Sequence, residues 1–249
     1  MITPKLVFLL LPLALLTGCG EPAPVTIPPV TQLEQLSPGT HQLEVDFGSQ
    51  KLKYTIRISE NYDGSKPVPL ALVLHYGYGG SRPDAYTGGD MMDSFESALA
   101  ELNGIAIAPD VLGGDWTSAQ NEQAAVWLTQ SVMKSYNIDS QRVVITGYSM
   151  GGEGTWFIGS RHQDVFTAAI PVAAPVAGSN TGWKIPAYVI HSKEDEVVSY
   201  ASAKKHADAI KTNGGQLEFQ IAEGLTHFDT DQYDNYVRNA VLWLKENWD

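Results

Sequence analysis

Ser149 stands in Thr146-Gly147-Tyr148-Ser149-Met150-Gly151-Gly152, a G-x-S-x-G pattern that directly follows the apolar run Val143–Ile145. A serine hydroxyl is a poor nucleophile at neutral pH unless a base takes its proton and an acid orients that base. A sharp strand-to-helix turn lifts such a hydroxyl clear of the chain, and it needs small residues at 147 and 151 because the strained backbone there is closely packed. The helix start beyond it supplies backbone N–H groups and a positive dipole end, so the Met150 N–H is a candidate oxyanion donor. In a chain with 23 glycines the bare pattern is weak, and its place between a strand and a helical segment carries the inference.

Around a serine on such a turn the partners follow in chain order as acid, then histidine. The loop after Ile190, His191-Ser192-Lys193-Glu194-Asp195-Glu196, offers three carboxylates, and the loop Ala222–Phe228 offers His227. The other histidines fit less well. His206 falls in a helical stripe and His162 at a helix end, both places for solvated side chains, and His41 precedes a hairpin. His75 and His191 end strands but come before the acid, so they read as hydrogen-bonded loop supports. A second oxyanion donor is expected from the loop after the first parallel strand, His75-Tyr76-Gly77-Tyr78-Gly79-Gly80, at the N–H of Gly77 or Tyr78.

A sheet must bring these loops to one edge. Leu43, Val45 and Phe47, then Leu52, Tyr54, Ile56 and Ile58, alternate with polar residues on either side of Gly48-Ser49-Gln50, which predicts an antiparallel hairpin. The runs 70–74, 105–108, 143–145, 168–172 and 187–190 are nearly unbroken and apolar, as parallel strands covered on both faces are. Helical stripes lie between them: Phe95, Ala98, Leu99 and Leu102; Ala125, Leu128, Val132 and Tyr136; Ala203, Ala207 and Ile210. Tyr233, Val237, Ala240, Leu244 and Trp248 close the chain. The alternation predicts an α/β fold with a mostly parallel sheet, helices on both faces, and a site beyond the carboxyl ends of the strands.

Composition fits one soluble domain: 249 residues, 43% hydrophobic and 18% charged. A net charge of −12 without a basic run disfavours nucleic acid as a partner. The single cysteine, Cys19, excludes a disulfide framework and a cysteine-based zinc site.

Residues 1–18 pass from Lys5 through the apolar stretch Leu6–Leu16, too short to span a bilayer and suited to a secretory signal. Leu16-Thr17-Gly18-Cys19 resembles a bacterial lipobox, which implies lipidation of Cys19 and anchoring to a membrane in the cell envelope. Where that envelope has two membranes, the resemblance to other lipoproteins implies the outer one, because Gly20 rather than Asp follows the cysteine. Residues 19–38, with prolines at 22, 24, 28, 29 and 38, read as an extended tether of about 50 Å ahead of a domain at 39–249.

The segment Asn137–Val143, followed by GYSMGGEGTW and later Phe166-Thr167-Ala168-Ala169, resembles the α/β-hydrolase superfamily. Within it the chain is similar to compact secreted esterases of the feruloyl esterase and polyhydroxybutyrate depolymerase type. The resemblance implies the α/β-hydrolase fold, and the match of His191, Asp195 and Val197-Val198 to the family's acid loop selects Asp195. One departure is Tyr76, where the family carries glycine after the histidine. About a dozen residues near Ala174–Pro186 leave no room for a lid domain. Tyr148, Trp116, Trp183 and Tyr78 fall near the expected active edge, where their rings could stack on sugar or aryl groups.

The sequence therefore predicts a lipid-anchored serine esterase. Ser149 is its nucleophile, His227 its base and Asp195 the acid, with ester substrates on polar or polymeric, carbohydrate-like molecules and no metal or cofactor. A prolyl oligopeptidase-like serine peptidase, and a non-catalytic binding module on the same fold, are the alternatives.

Overall fold

The structure, a computed structural model, describes residues 26–78 and 85–248. The signal segment, Cys19, and Gly79 and Gly80 lie outside the described residues.

Eight strands form one sheet in the order β1-β2-β4-β3-β5-β6-β7-β8. β1 (Gly39–Phe47) and β2 (Gln50–Ile58) make the antiparallel hairpin, turning at Gly48, whose φ of +62° suits glycine. β2 pairs antiparallel with β4 (Ile105–Pro109). From there β3 (Val68–Leu74), β5 (Ile138–Tyr148), β6 (Ala168–Val172), β7 (Ala187–His191) and β8 (Leu217–Ile221) are all parallel.

Period-two alternation in β3 divides the core. Leu70, Leu72 and Leu74 join one buried cluster, while Ala71 and Val73 join the other. The first cluster packs under α3 (Ala119–Ser135), α4 (Met150–Arg161) and α5 (Tyr200–Thr212). The second packs under α1 (Thr87–Ser94), α2 (Glu96–Leu102) and α6 (Asp234–Asn247). No helix or strand forms between Val172 and Ala187, so the link from β6 to β7 is a plain loop.

The stripe from Phe95 to Leu102 is α2, with Phe95 at its N-terminal cap, and α1 precedes it although Gly88 and Gly89 are poor helix formers. Close packing explains those glycines, since a Cβ on Gly88 would lie 2.4 Å from the Ala108 carbonyl oxygen. Asp110 Oδ1 accepts the Gly88 N–H at 2.8 Å and helps fix the start of the helix.

The tether is shorter than its composition suggests. From Pro29 the chain is docked along α3. Trp127 Nε1 donates to the Pro29 carbonyl (3.1 Å), and Ser131 Oγ, Ser135 Oγ and the Tyr136 hydroxyl accept the N–H groups of Thr31, Leu33 and Leu36 (3.3, 2.8 and 3.0 Å). Val30, Leu33 and Leu36 recur every three residues and pack against the core. Hydroxyls presented along α3 satisfy backbone donors that have no strand partner, so proline content did not keep this segment off the domain.

Candidate active site

Ser149 joins the end of β5 to the start of α4 with φ +54° and ψ −116°, a conformation that costs a non-glycine residue about 1–3 kcal/mol. Its neighbours make the turn possible. A Cβ on Gly147 would lie 2.4 Å from the Gly151 carbonyl oxygen, and one on Gly151 2.0 Å from that of Leu74. The Ser149 N–H donates to the Val172 carbonyl (3.0 Å), which fastens the turn to β6. At the first position of α4 the Met150 N–H has no intrahelical acceptor.

The loop after β8 brings His227 over this serine, with Nε2 2.9 Å from Ser149 Oγ and Nδ1 2.9 Å from Asp195 Oδ2. Asp195, in the loop after β7, has a side chain with no solvent exposure, and His227 is 7% exposed. Burial pushes the Asp195 carboxyl up. The hydrogen bond from His227 and the N–H groups of Val198 (2.7 Å) and Val197 (2.9 Å) outweigh it, holding the group below its ordinary value and ionised. An ionised carboxylate only accepts, so Nδ1 carries the proton. Nε2 of the neutral ring then accepts from the Ser149 hydroxyl.

The two carboxylates beside Asp195 also bind the histidine loop, which the sequence reading did not anticipate. Glu196 Oε2 accepts the His227 backbone N–H (3.0 Å), and Glu194 Oε2 accepts from Ser192 Oγ (2.9 Å) and from the Gly224 N–H (3.3 Å). Three consecutive acids thus tie one loop to the other at three points.

Three of the expected stacking rings are placed otherwise. Tyr148 is buried, and its hydroxyl donates to the His227 carbonyl (2.7 Å), so it braces the His227 loop and its ring does not face solvent. Burial drives its phenol well above the usual range, keeping it a donor. Trp116 is 1% exposed, with Nε1 donating to the His75 carbonyl (2.9 Å). Trp183 is buried edge-on to Trp156 at 5.5 Å, with Nε1 donating to the Ile185 carbonyl. Tyr78 is half-buried, its ring 5.3 Å from that of His75.

Gly77, an expected oxyanion donor, lies over the start of α4, where a Cβ on it would contact Met150 Sδ at 3.6 Å. His75 supports this loop: Nδ1 donates to the Tyr76 carbonyl (2.8 Å), and Nε2 accepts the Val111 N–H (3.2 Å). His191 Nε2 bonds the Val198 carbonyl (3.1 Å), and burial holds the ring below its ordinary pKa and neutral. Both act as the loop supports expected of them. His206 is buried edge-on to Trp156, and His162 is paired with Glu122 (2.8 Å), so neither is the solvated side chain expected. Among the described residues, no three His, Cys, Asp or Glu are grouped to hold a metal ion.

The model of the dienelactone hydrolase family matches residues 72–243. A probable feruloyl esterase C of Aspergillus terreus is 27% identical over 168 residues, 66% of this chain and 62% of that protein. One of Aspergillus niger is 25% identical over 186 residues, 72% of this chain and 66% of its own. The chain thus spans slightly under two thirds of these relatives. Among solved structures, a thermostable esterase superposes with a TM-score of 0.69 at 21% identity, over 83% of this chain and 62% of its own. Est1E of Butyrivibrio proteoclasticus does so with 0.64 at 14%, over 83% and 98%. The fold is that of the α/β-hydrolases.

Proposed function

The chain belongs to the dienelactone hydrolase family, and from that premise we propose that it is a serine esterase, cleaving carboxylic esters through an acyl-enzyme. The observation that carries this reading is the unbroken line of hydrogen bonds Ser149–His227–Asp195, 2.9 Å at each step. In acylation Ser149 Oγ attacks the ester carbonyl carbon while His227 Nε2 takes its proton. The tetrahedral oxyanion lies toward the Met150 N–H and the N–H of Gly77 or Tyr78. As the C–O bond breaks, His227 returns the proton to the departing alcohol, and Asp195 stabilises the transient imidazolium. Water, deprotonated by the same imidazole, then attacks the acyl-serine, and as the bond to Ser149 Oγ breaks His227 returns that proton to the serine oxygen, releasing the acid and restoring the resting site.

Relatives named feruloyl esterase, and the plain loop between β6 and β7 in place of a lid, support an open site for acyl or aryl esters carried on polar or polymeric, carbohydrate-like molecules. The test is a panel of aryl esters against matched peptide amides. Turnover of the esters with amides at least about 10³-fold slower fits an esterase, whereas comparable kcat/KM on amides reassigns the protein as a peptidase.

We also propose anchoring through a lipid on Cys19, in the cell envelope, on the strength of Leu16-Thr17-Gly18-Cys19. Cys19→Ser is expected to move the protein from the membrane to the soluble fraction without altering its specific activity, since Cys19 precedes the docked segment that starts at Pro29. Mass spectrometry of the wild type showing an unmodified Cys19 overturns the anchor.

A further inference from the structure

Four large apolar side chains among the described residues stand out in solvent: Ile27, Val197, Phe228 and Leu242. Two of them adjoin the reactive groups. Phe228, 76% exposed, follows His227 directly, and Val197, 57% exposed, lies two residues beyond Asp195. Exposing a phenyl ring forgoes burial that favours folding, and the backbone that carries this ring is held in place beside His227. Thr226 Oγ1 accepts the Phe228 N–H (3.3 Å), while Asp229 Oδ2 accepts both the N–H (2.7 Å) and the hydroxyl (2.6 Å) of Thr226. Gln232 Nε2 holds the other oxygen of Asp229 (2.9 Å). The Phe228 ring meets the His227 imidazole at 5.8 Å with the planes at 89°. Val197 is held in a similar way, by its N–H on Asp195 Oδ1.

Resting on the esterase reading above, we propose that Phe228 forms an apolar wall for the alcohol portion of the ester, selecting alcohols that present a ring face, whether aryl or sugar. The assignment to the alcohol side follows from the path of the proton. His227 Nε2 must deliver the proton taken from Ser149 to the alcohol oxygen as the C–O bond breaks, so that oxygen lies within hydrogen-bond reach of the imidazole. The carbonyl oxygen points the other way, toward Met150 and the loop of Gly77. Groups beside His227 therefore meet the leaving alcohol. A phenyl ring on a fixed backbone has only two side-chain torsions to lose on binding, and both phenyl rings and the C–H face of a pyranose suit it.

The test measures kcat/KM for the wild type, Phe228→Ser and Val197→Ser on methyl propionate, phenyl propionate, a propionylated methyl pyranoside and phenyl acetate. Both positions are exposed, so neither substitution opens the core. Taking each variant relative to wild type cancels the intrinsic reactivity of the leaving groups. The expected result for Phe228→Ser is an about tenfold fall in the ratio of ring ester to methyl ester, with the ratio of phenyl propionate to phenyl acetate moving less than twofold. Val197→Ser removes an exposed apolar side chain held by Asp195 on the Nδ1 side of the imidazole and serves as the control, expected to move that ratio less than twofold. The ring ester that loses more identifies aryl or sugar as the preferred alcohol. A ring-to-methyl ratio for Phe228→Ser within twofold of wild type overturns the proposal, and so does an acyl ratio that moves as far as the alcohol ratio. A wild type that hydrolyses none of the four, or no faster than Ser149→Ala, overturns the esterase reading and this inference with it, a result distinct from either failure above.

Discussion

Ser149→Ala is expected to lower kcat on a reactive aryl ester by at least about 10³-fold and to abolish covalent labelling by a fluorophosphonate. Fold and stability should be nearly unchanged, for a reason visible in the backbone. At φ +54° and ψ −116° alanine carries the same Cβ strain as serine, so the substitution removes only the hydroxyl. Glycine would relax that strain and confound the comparison. Stopped-flow and steady-state rates on one ester, with thermal unfolding of both proteins, make the measurement. Hydrolysis within tenfold of wild type, or undiminished labelling, would remove Ser149 from the chemistry.

The site was legible in the sequence wherever a side-chain role is tied to local backbone form. The glycines at 147 and 151 announced the turn because no Cβ fits there, and the apolar run of β3 announced a strand covered on both faces. Roles that depend on direction were not legible. Trp116, Tyr148 and Trp183 are placed by sequence at the active edge, but burial turns all three rings inward, where each hydrogen-bonds a backbone carbonyl. Phe228 gave the opposite signal. It sits in a tightly bonded turn beside His227 and faces solvent, and an isolated phenylalanine in a loop reads by default as core. Glu196 was hidden differently, because its partner is a backbone N–H 31 residues away, which no side-chain pattern encodes. The docked segment from Pro29 was obscured by composition, since prolines argue for an extended chain but not for what that chain lies against.

Asp195→Asn is expected to cost up to about 10⁴-fold in kcat while preserving the shape of the loop. Oδ1 keeps an acceptor for the N–H groups of Val197 and Val198, so the backbone has no reason to move. The amide instead offers its NH₂ to Nδ1. That selects the tautomer with the proton on Nε2, where it cannot accept from Ser149, and removes the charge that stabilises the imidazolium. The flanking acids should respond differently, because they bind backbone. Glu196→Gln retains a carbonyl oxygen for the His227 N–H and should cost little, whereas Glu196→Ala, which leaves that donor without its acceptor, should cost about tenfold. Acidification should lower kcat/KM in the wild type, because protonated His227 cannot accept the serine proton. Asp195 itself is held below its ordinary carboxyl value, so its stabilising contribution is present above the unfolded pKa of about 3.8 and is lost only as pH falls through the lower folded value. Following rate and circular dichroism on the same samples separates the loss of activity from the loss of fold. On the proposed mechanism the three groups act as one unit, so in a Ser149→Ala background Asp195→Asn should have almost no further effect. If Glu196→Gln proves crippling while Asp195→Asn stays active, the acid is Glu196, and the 2.9 Å contact from Asp195 to Nδ1 is structural only.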